Sequence, residues 1–152
     1  MALNPDFVGR VYPPSAPYVV GREKVREFAD AVGDPNPVFH DVAAAQACGY
    51  DDVVAPPTFA IVMSMKASEA VMFDPELGLD YTRVVHAEQR FSYARPIVAG
   101  DELVVTTTIE GIRTMAGNDL ITTRGDIATT NGEHVVTTHS VLVSRAPDED
   151  PA

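Results

Sequence analysis

The stretch Gly33-Asp34-Pro35-Asn36-Pro37-Val38-Phe39-His40-Asp41 brings together the side chains best suited to chemistry. It presents two carboxylates, an amide and an imidazole within a few positions. Prolines 35 and 37 fix their own φ angles and bias the residues before them away from helix, so the loop is stiff and ends whatever helix precedes it. A stiff loop that presents Asp34 and His40 suits general acid–base catalysis. The same residues also suit a helix stop, with Asp34 and Asn36 bonding to nearby main-chain groups as turn residues. Residue types alone leave both readings open.

Other candidate groups are weaker. His86, His134 and His139 fall on strand-like segments without close ligand spacing, so no metal site and no cofactor site is expected. Ser64 and Ser68 lie in an apolar segment with no His–Asp arrangement readable beside them, which argues against a serine hydrolase. Cys48 is the only cysteine, in an Ala-rich stretch, and reads as a small buried residue rather than a nucleophile, in a reducing, cytoplasmic setting. Met63, Met65 and Met72 suit either a core or the lining of an apolar ligand pocket.

The elements that must position these residues follow from periodicity. Tyr18 to Val20 reads as a short strand. Arg22 to Val32 has Val25, Phe28, Ala29 and Val32 on one face and reads as an amphipathic helix. Val42 to Cys48 reads as a short helix closed by Gly49. Thr58 to Phe73, after Pro56-Pro57, is apolar nearly all round and predicts a buried helix. From residue 84 the pattern changes to period two. Val84–Ala94, Glu102–Met115, Asp119–Thr130 and His134–Ser144 read as strands in a meander, with Asn131-Gly132 as a hairpin turn. One buried helix packed on antiparallel strands is an α+β arrangement. At 152 residues the chain is expected to be one domain, spanning 1–146, with 147–152 as a disordered acidic tail.

The formal charge of −11 disfavours nucleic acid as a partner. No apolar run reaches membrane-spanning length, and the N-terminus lacks the pattern of a signal peptide, so no membrane association is expected. Arg22, Lys24 and Arg26 form the one basic stretch that an acidic partner would use, and they read equally as a solvated helix face.

The 33–41 segment resembles the loop of the MaoC-like dehydratases, the (R)-specific enoyl-thioester hydratases, which reads G-D-x-N-P-hydrophobic-H-x-D. Gly33, Asp34, Asn36, Pro37, Val38 and Asp41 fall in register. The family's catalytic Asp corresponds to Asp34, but its catalytic His falls on Phe39, with His40 one residue late. The glycine whose N–H binds the thioester oxygen falls on Pro57, which has no N–H to give. Gly21-Arg22-Glu23-Lys24, Val54-Ala55-Pro56-Pro57-Thr58-Phe59 and Arg95-Pro96-Ile97-Val98-Ala99-Gly100-Asp101 look like the actinobacterial FAS1-like dehydratase subfamily, the HadA/HadC-type or UPF0336 proteins.

This resemblance implies a hotdog fold, an antiparallel sheet wrapped around the 58–73 helix. It implies an acyl-CoA or acyl-carrier-protein substrate. It further implies a homodimer, or a heterodimer with a catalytic MaoC-like subunit, joined through a sheet edge. An acyl tunnel is expected between helix and sheet near the 33–41 loop, with Asn36, Phe39, Pro57, Thr58, Phe59, Val62 and Met63 as substrate-binding candidates. Three functions remain open. The first is a non-catalytic, acyl-binding subunit of a (3R)-hydroxyacyl-thioester dehydratase or enoyl hydratase of fatty-acid metabolism. The second is a self-sufficient hydratase using Asp34 and His40. The third is a lipid- or thioester-binding module without chemistry.

Overall fold

A computed structural model describes residues 3–146; the expected acidic tail at 147–152 lies outside the described residues. The chain begins with an irregular segment and a two-residue strand, β1 (Tyr18–Val19). Helix α1 (Arg22–Val32) follows at the predicted boundaries. It buries Val25 and Ala29, while Val32 at its end stays exposed. Gly33 ends it at φ 74°, a left-handed conformation that costs glycine little, and its N–H bonds back to the last turn. The short helix α2 (Val42–Ala47) and the central helix α3 (Ile61–Met72) complete the helical half.

Helix α3 starts later than its composition suggests. Residues 58–60 form a turn in which Ile61 N–H bonds Thr58 O and Val62 N–H bonds Phe59 O. The first four-residue bond runs from Ser64 N–H to Ala60 O. The two prolines at 56 and 57 supply no N–H to an earlier turn, and the chain reaches α3 through a tighter one.

Four long strands follow: β2 (Val84–Tyr93), β3 (Glu102–Met115), β4 (Asn118–Thr129) and β5 (His134–Ser144). Their limits lie within a residue of those read from period two. Their order does not follow a simple meander. The sheet runs β1-β3-β4-β5-β2, all antiparallel, so β2 pairs with β5 rather than with its sequence neighbour β3. The connection from Tyr93 to Glu102 makes the crossing possible. It buries Ile97, pairs Val98 with Val54, and is pinned by Arg95, whose guanidinium bonds both Asp101 and Glu133. Alternation of apolar and polar residues defines strands and faces but carries no information on which strands are neighbours.

The sheet curls around α3. One core cluster joins Val25, Ala29, Phe39, Phe59 and Met63 to Leu103, Val105, Ile127, Val135 and Val136. A second joins Phe7, Tyr12, Val71 and Leu77 to Ile109 and Ile121. Helix α3 buries Met63, Ser64 and Val71, while Met65 faces outward.

The two sheet edges are treated differently. The N-terminal segment runs along β3, with bonds from Gly9 N–H to Ile109 O, Tyr12 N–H to Thr107 O and Ser15 N–H to Val105 O, and so covers that edge. Among the described residues β2 pairs only on its β5 side.

Candidate functional site

The Gly33–Asp41 loop spends its polar groups on its own backbone. Asp34 Oδ1 accepts the Asn36 N–H at 3.0 Å, and Asn36 Oδ1 accepts the Val38 N–H at 3.2 Å. Asp41 Oδ1 caps α2 by accepting the Ala44 N–H at 2.8 Å. Prolines 35 and 37 lie between these bonds, and Pro37–Phe39 makes a single 3₁₀ turn capped by Asn36. The turn-residue reading therefore describes the loop as it is built.

His40 does not form a side-chain pair with Asp34. Its Nε2 lies 3.0 Å from the Asp34 main-chain carbonyl oxygen. A ring nitrogen bonded to a carbonyl carries the hydrogen and donates it, so this nitrogen cannot accept a proton from water. Nδ1 lies 3.9 Å from Asp30 Oδ1. Phe39, at the position of the family histidine, is 7% exposed and packs in the first core cluster.

Position 57 is equally changed. Pro57 and Thr58 are exposed at the turn before α3. The hydroxyl of Tyr93, reaching from β2, donates to Pro57 O at 2.7 Å and also meets the Ala60 backbone N–H. Burial of that hydroxyl pushes its pKa up to about 12. The first turn of α3 is thus closed by the chain's own phenol. The basic stretch is locally neutralised as well, with Arg22 on Asp52, Lys24 on Glu27 and Arg26 on Glu23.

A pocket of about 160 Å³ does lie between α3 and the concave face of the sheet. Its roof is Ile61, Ser64, Met65, Ser68 and Met72. Its floor follows from register. Thr107, Gly125 and Thr138 form one row across β3, β4 and β5, and Thr123, Ser140 and Gln89 form the next across β4, β5 and β2. Residues two apart on a strand share a face, which brings these side chains together under the helix. Tyr81, Val84 and His86 stand at the end of the pocket near the start of β2.

Among the described residues Ser64 Oγ is buried and has no hydrogen-bond partner. His86 Nε2 and Ser140 Oγ lie 2.9 Å apart. None of the substrate-binding candidates implied by the family resemblance lines this pocket, whereas Ser64, Ser68, Met65, Met72 and His86, read from sequence for other roles, do. Phe39, Phe59 and Met63 belong to the packed core, Val62 is half-buried against it, and Asn36, Pro57 and Thr58 are exposed. The pocket's threonines and Ser140 gave no local signal, and His86 reads from sequence only as a strand histidine without ligand spacing. They come from four strands, and only the pairing of those strands assembles them.

The residues 6–138 match the family described as "FAS1-like, dehydratase domain region". The chain belongs to this family. A UPF0336 protein of Streptomyces avermitilis is 59% identical over 149 residues, covering 98% of this chain and 99% of that protein. Among solved structures, a MaoC-like dehydratase superposes with a TM-score of 0.86 at 42% identity, covering 93% of this chain; the chain spans only 43% of that longer protein. The HadBC (3R)-hydroxyacyl-ACP dehydratase complex of Mycobacterium tuberculosis superposes with a TM-score of 0.82 at 32% identity, covering 91% of this chain and 97% of that one. The curled five-stranded sheet around α3 is accordingly the hotdog fold of the MaoC-like dehydratases. In this FAS1-like dehydratase chain no helix among the described residues is long and apolar enough to cross a membrane.

Proposed function

We propose that this chain is the acyl-binding, non-catalytic subunit of a (3R)-hydroxyacyl-thioester dehydratase or enoyl hydratase of fatty-acid metabolism. The observation that carries the reading is Phe39, packed in the core at the place of the family's base. Water addition to an enoyl thioester needs a base for the water and a donor for the enolate oxygen. Here Asp34 is committed to Asn36 N–H, His40 Nε2 to a carbonyl, and position 57 has no N–H. A partner subunit with an intact loop supplies those groups, and this chain holds the acyl portion beneath α3.

The open edge of β2 supports association. Tyr81, Val85 and Tyr93 are exposed along or beside it, and Met65 and Phe73 are exposed at α3. A long unpaired edge flanked by apolar side chains is a surface that pairing relieves. A homodimer in isolation and a heterodimer with a catalytic relative both fit this surface. The likeness to the mycobacterial dehydratase complex points the same way.

The test is a hydratase assay on the pure protein with crotonyl-CoA, alone and after adding a relative whose loop is intact. The expected result is a rate alone at least about 10²-fold below that of the mixture, since one missing oxyanion donor costs about 10²–10³ in rate. Robust turnover by the pure chain that His40→Ala abolishes overturns the proposal in favour of a self-sufficient enzyme.

A further inference from the structure

We infer that the pocket beneath α3 selects acyl chains bearing an oxygen substituent, a hydroxyl or oxo group, beyond the carbons that react. The inference rests on the acyl-binding reading above and names the class of chain. It stands first on Ser64. Its side chain lines the pocket, the residue is 7% exposed, and among the described residues its hydroxyl has no partner. A buried hydroxyl left unpaired carries a desolvation cost with no bond to offset it, so such groups in native proteins call for an explanation.

The second observation is the distribution of polarity. The lining residues with the least exposure are Thr107, Thr123 and Thr138, at 4%, 5% and 3%, on the sheet side opposite Ser64 and beside the half-buried Ile61, Met72, Val84 and Leu142. The open parts are marked by the exposed Met65 and Tyr81. A chain in this pocket therefore meets apolar side chains and, at Ser64, a hydroxyl that an oxygen substituent would pair. Gly125 maintains the polar floor. A Cβ there would meet Thr138 Oγ1 at 2.5 Å, so glycine leaves that hydroxyl its place.

Size points the same way. At about 160 Å³ the pocket is smaller than the roughly 300–1,000 Å³ of sites that enclose a whole ligand, and it fits part of one. Any water that satisfies the Ser64 hydroxyl in the free protein is displaced when a chain enters. A bare hydrocarbon returns no hydrogen bond in exchange, whereas a chain oxygen does. A serine hydroxyl both donates and accepts, so it serves a hydroxyl or an oxo group equally.

Titration calorimetry on the pure chain tests this. The ligands are decanoyl-CoA, 3-hydroxydecanoyl-CoA and monohydroxydecanoyl-CoA isomers with the hydroxyl moved toward the methyl end. The expected result is that a distal isomer binds about tenfold or more tighter than decanoyl-CoA, and that in Ser64→Ala the distal isomer and decanoyl-CoA bind alike. Thermal unfolding of Ser64→Ala, expected at or above the temperature of the parent, separates selectivity from folding. Equal binding of all isomers overturns the inference and leaves the acyl-binding reading intact. A distal preference that survives Ser64→Ala overturns the role given to that residue. A preference for the 3-hydroxy isomer alone overturns both, because the reacting carbon would then sit in this chain. Failure of every thioester to bind removes the acyl-binding reading and the inference with it.

Discussion

In the Gly33–Asp41 loop, Asp34, Asn36 and Asp41 each accept a main-chain N–H two or three residues ahead. Beneath α3, Ser64 is more deeply buried than any of these and has no partner among the described residues. The loop carries the outline of catalysis in its residue types, yet one oxygen each of Asp34, Asn36 and Asp41 is spent on holding its own shape. The pocket carries no recognisable motif, yet its hydroxyls converge on a space. What separates the two here is one group: Ser64 Oγ has no partner among the described residues, while Ser140 meets His86, Thr138 donates to Gly125 O and the loop's acceptors are engaged.

Substitutions sharpen that contrast. The largest effect on stability is expected from Phe39→His, which restores the family residue in sequence. It places an imidazole in a packed apolar site and should cost about 3 kcal/mol in urea unfolding, with no gain in hydratase rate. A stable and active Phe39→His protein would show that the loop is one substitution away from chemistry.

Gly125→Ala comes next. Its new Cβ clashes with Thr138 Oγ1, and a loss of about 1–3 kcal/mol is expected. Thr138→Ala in the same protein should recover most of it, because the clash is with that hydroxyl; a double-mutant cycle without coupling would contradict the close approach. Asp41→Ala removes the cap of α2 and should cost about 1 kcal/mol by chemical denaturation. Tyr93→Phe removes the bond to Pro57 O and is expected to cost a similar or smaller amount, about 0.5–1.5 kcal/mol. The smallest effect belongs to Ser64→Ala. Removing an unpaired hydroxyl should leave the unfolding midpoint within about 0.5 kcal/mol of the parent or raise it. If Ser64→Ala proves costlier than Asp41→Ala, the contrast between loop and pocket fails.

Local chemistry was enough to place most elements from sequence alone. The apolar face of α1, the left-handed stop at Gly33, the period-two strands and the Asn131-Gly132 hairpin each arise from interactions among residues close in the chain. The α+β class followed from the same local patterns, and the family from the resemblance carried by the 33–41 loop and the segments around it. Three things waited for the tertiary structure. The placement of β2 beside β5 depends on a crossing that alternation does not encode. The burial of Phe39 depends on what Val25, Ala29 and Met63 present to it from elsewhere in the chain. The pocket needs Thr107, Thr123, Thr138, Ser140 and His86 to arrive from four strands under one face of α3. Contacts between residues far apart in sequence have no local periodicity, so only the folded sheet brings them into register.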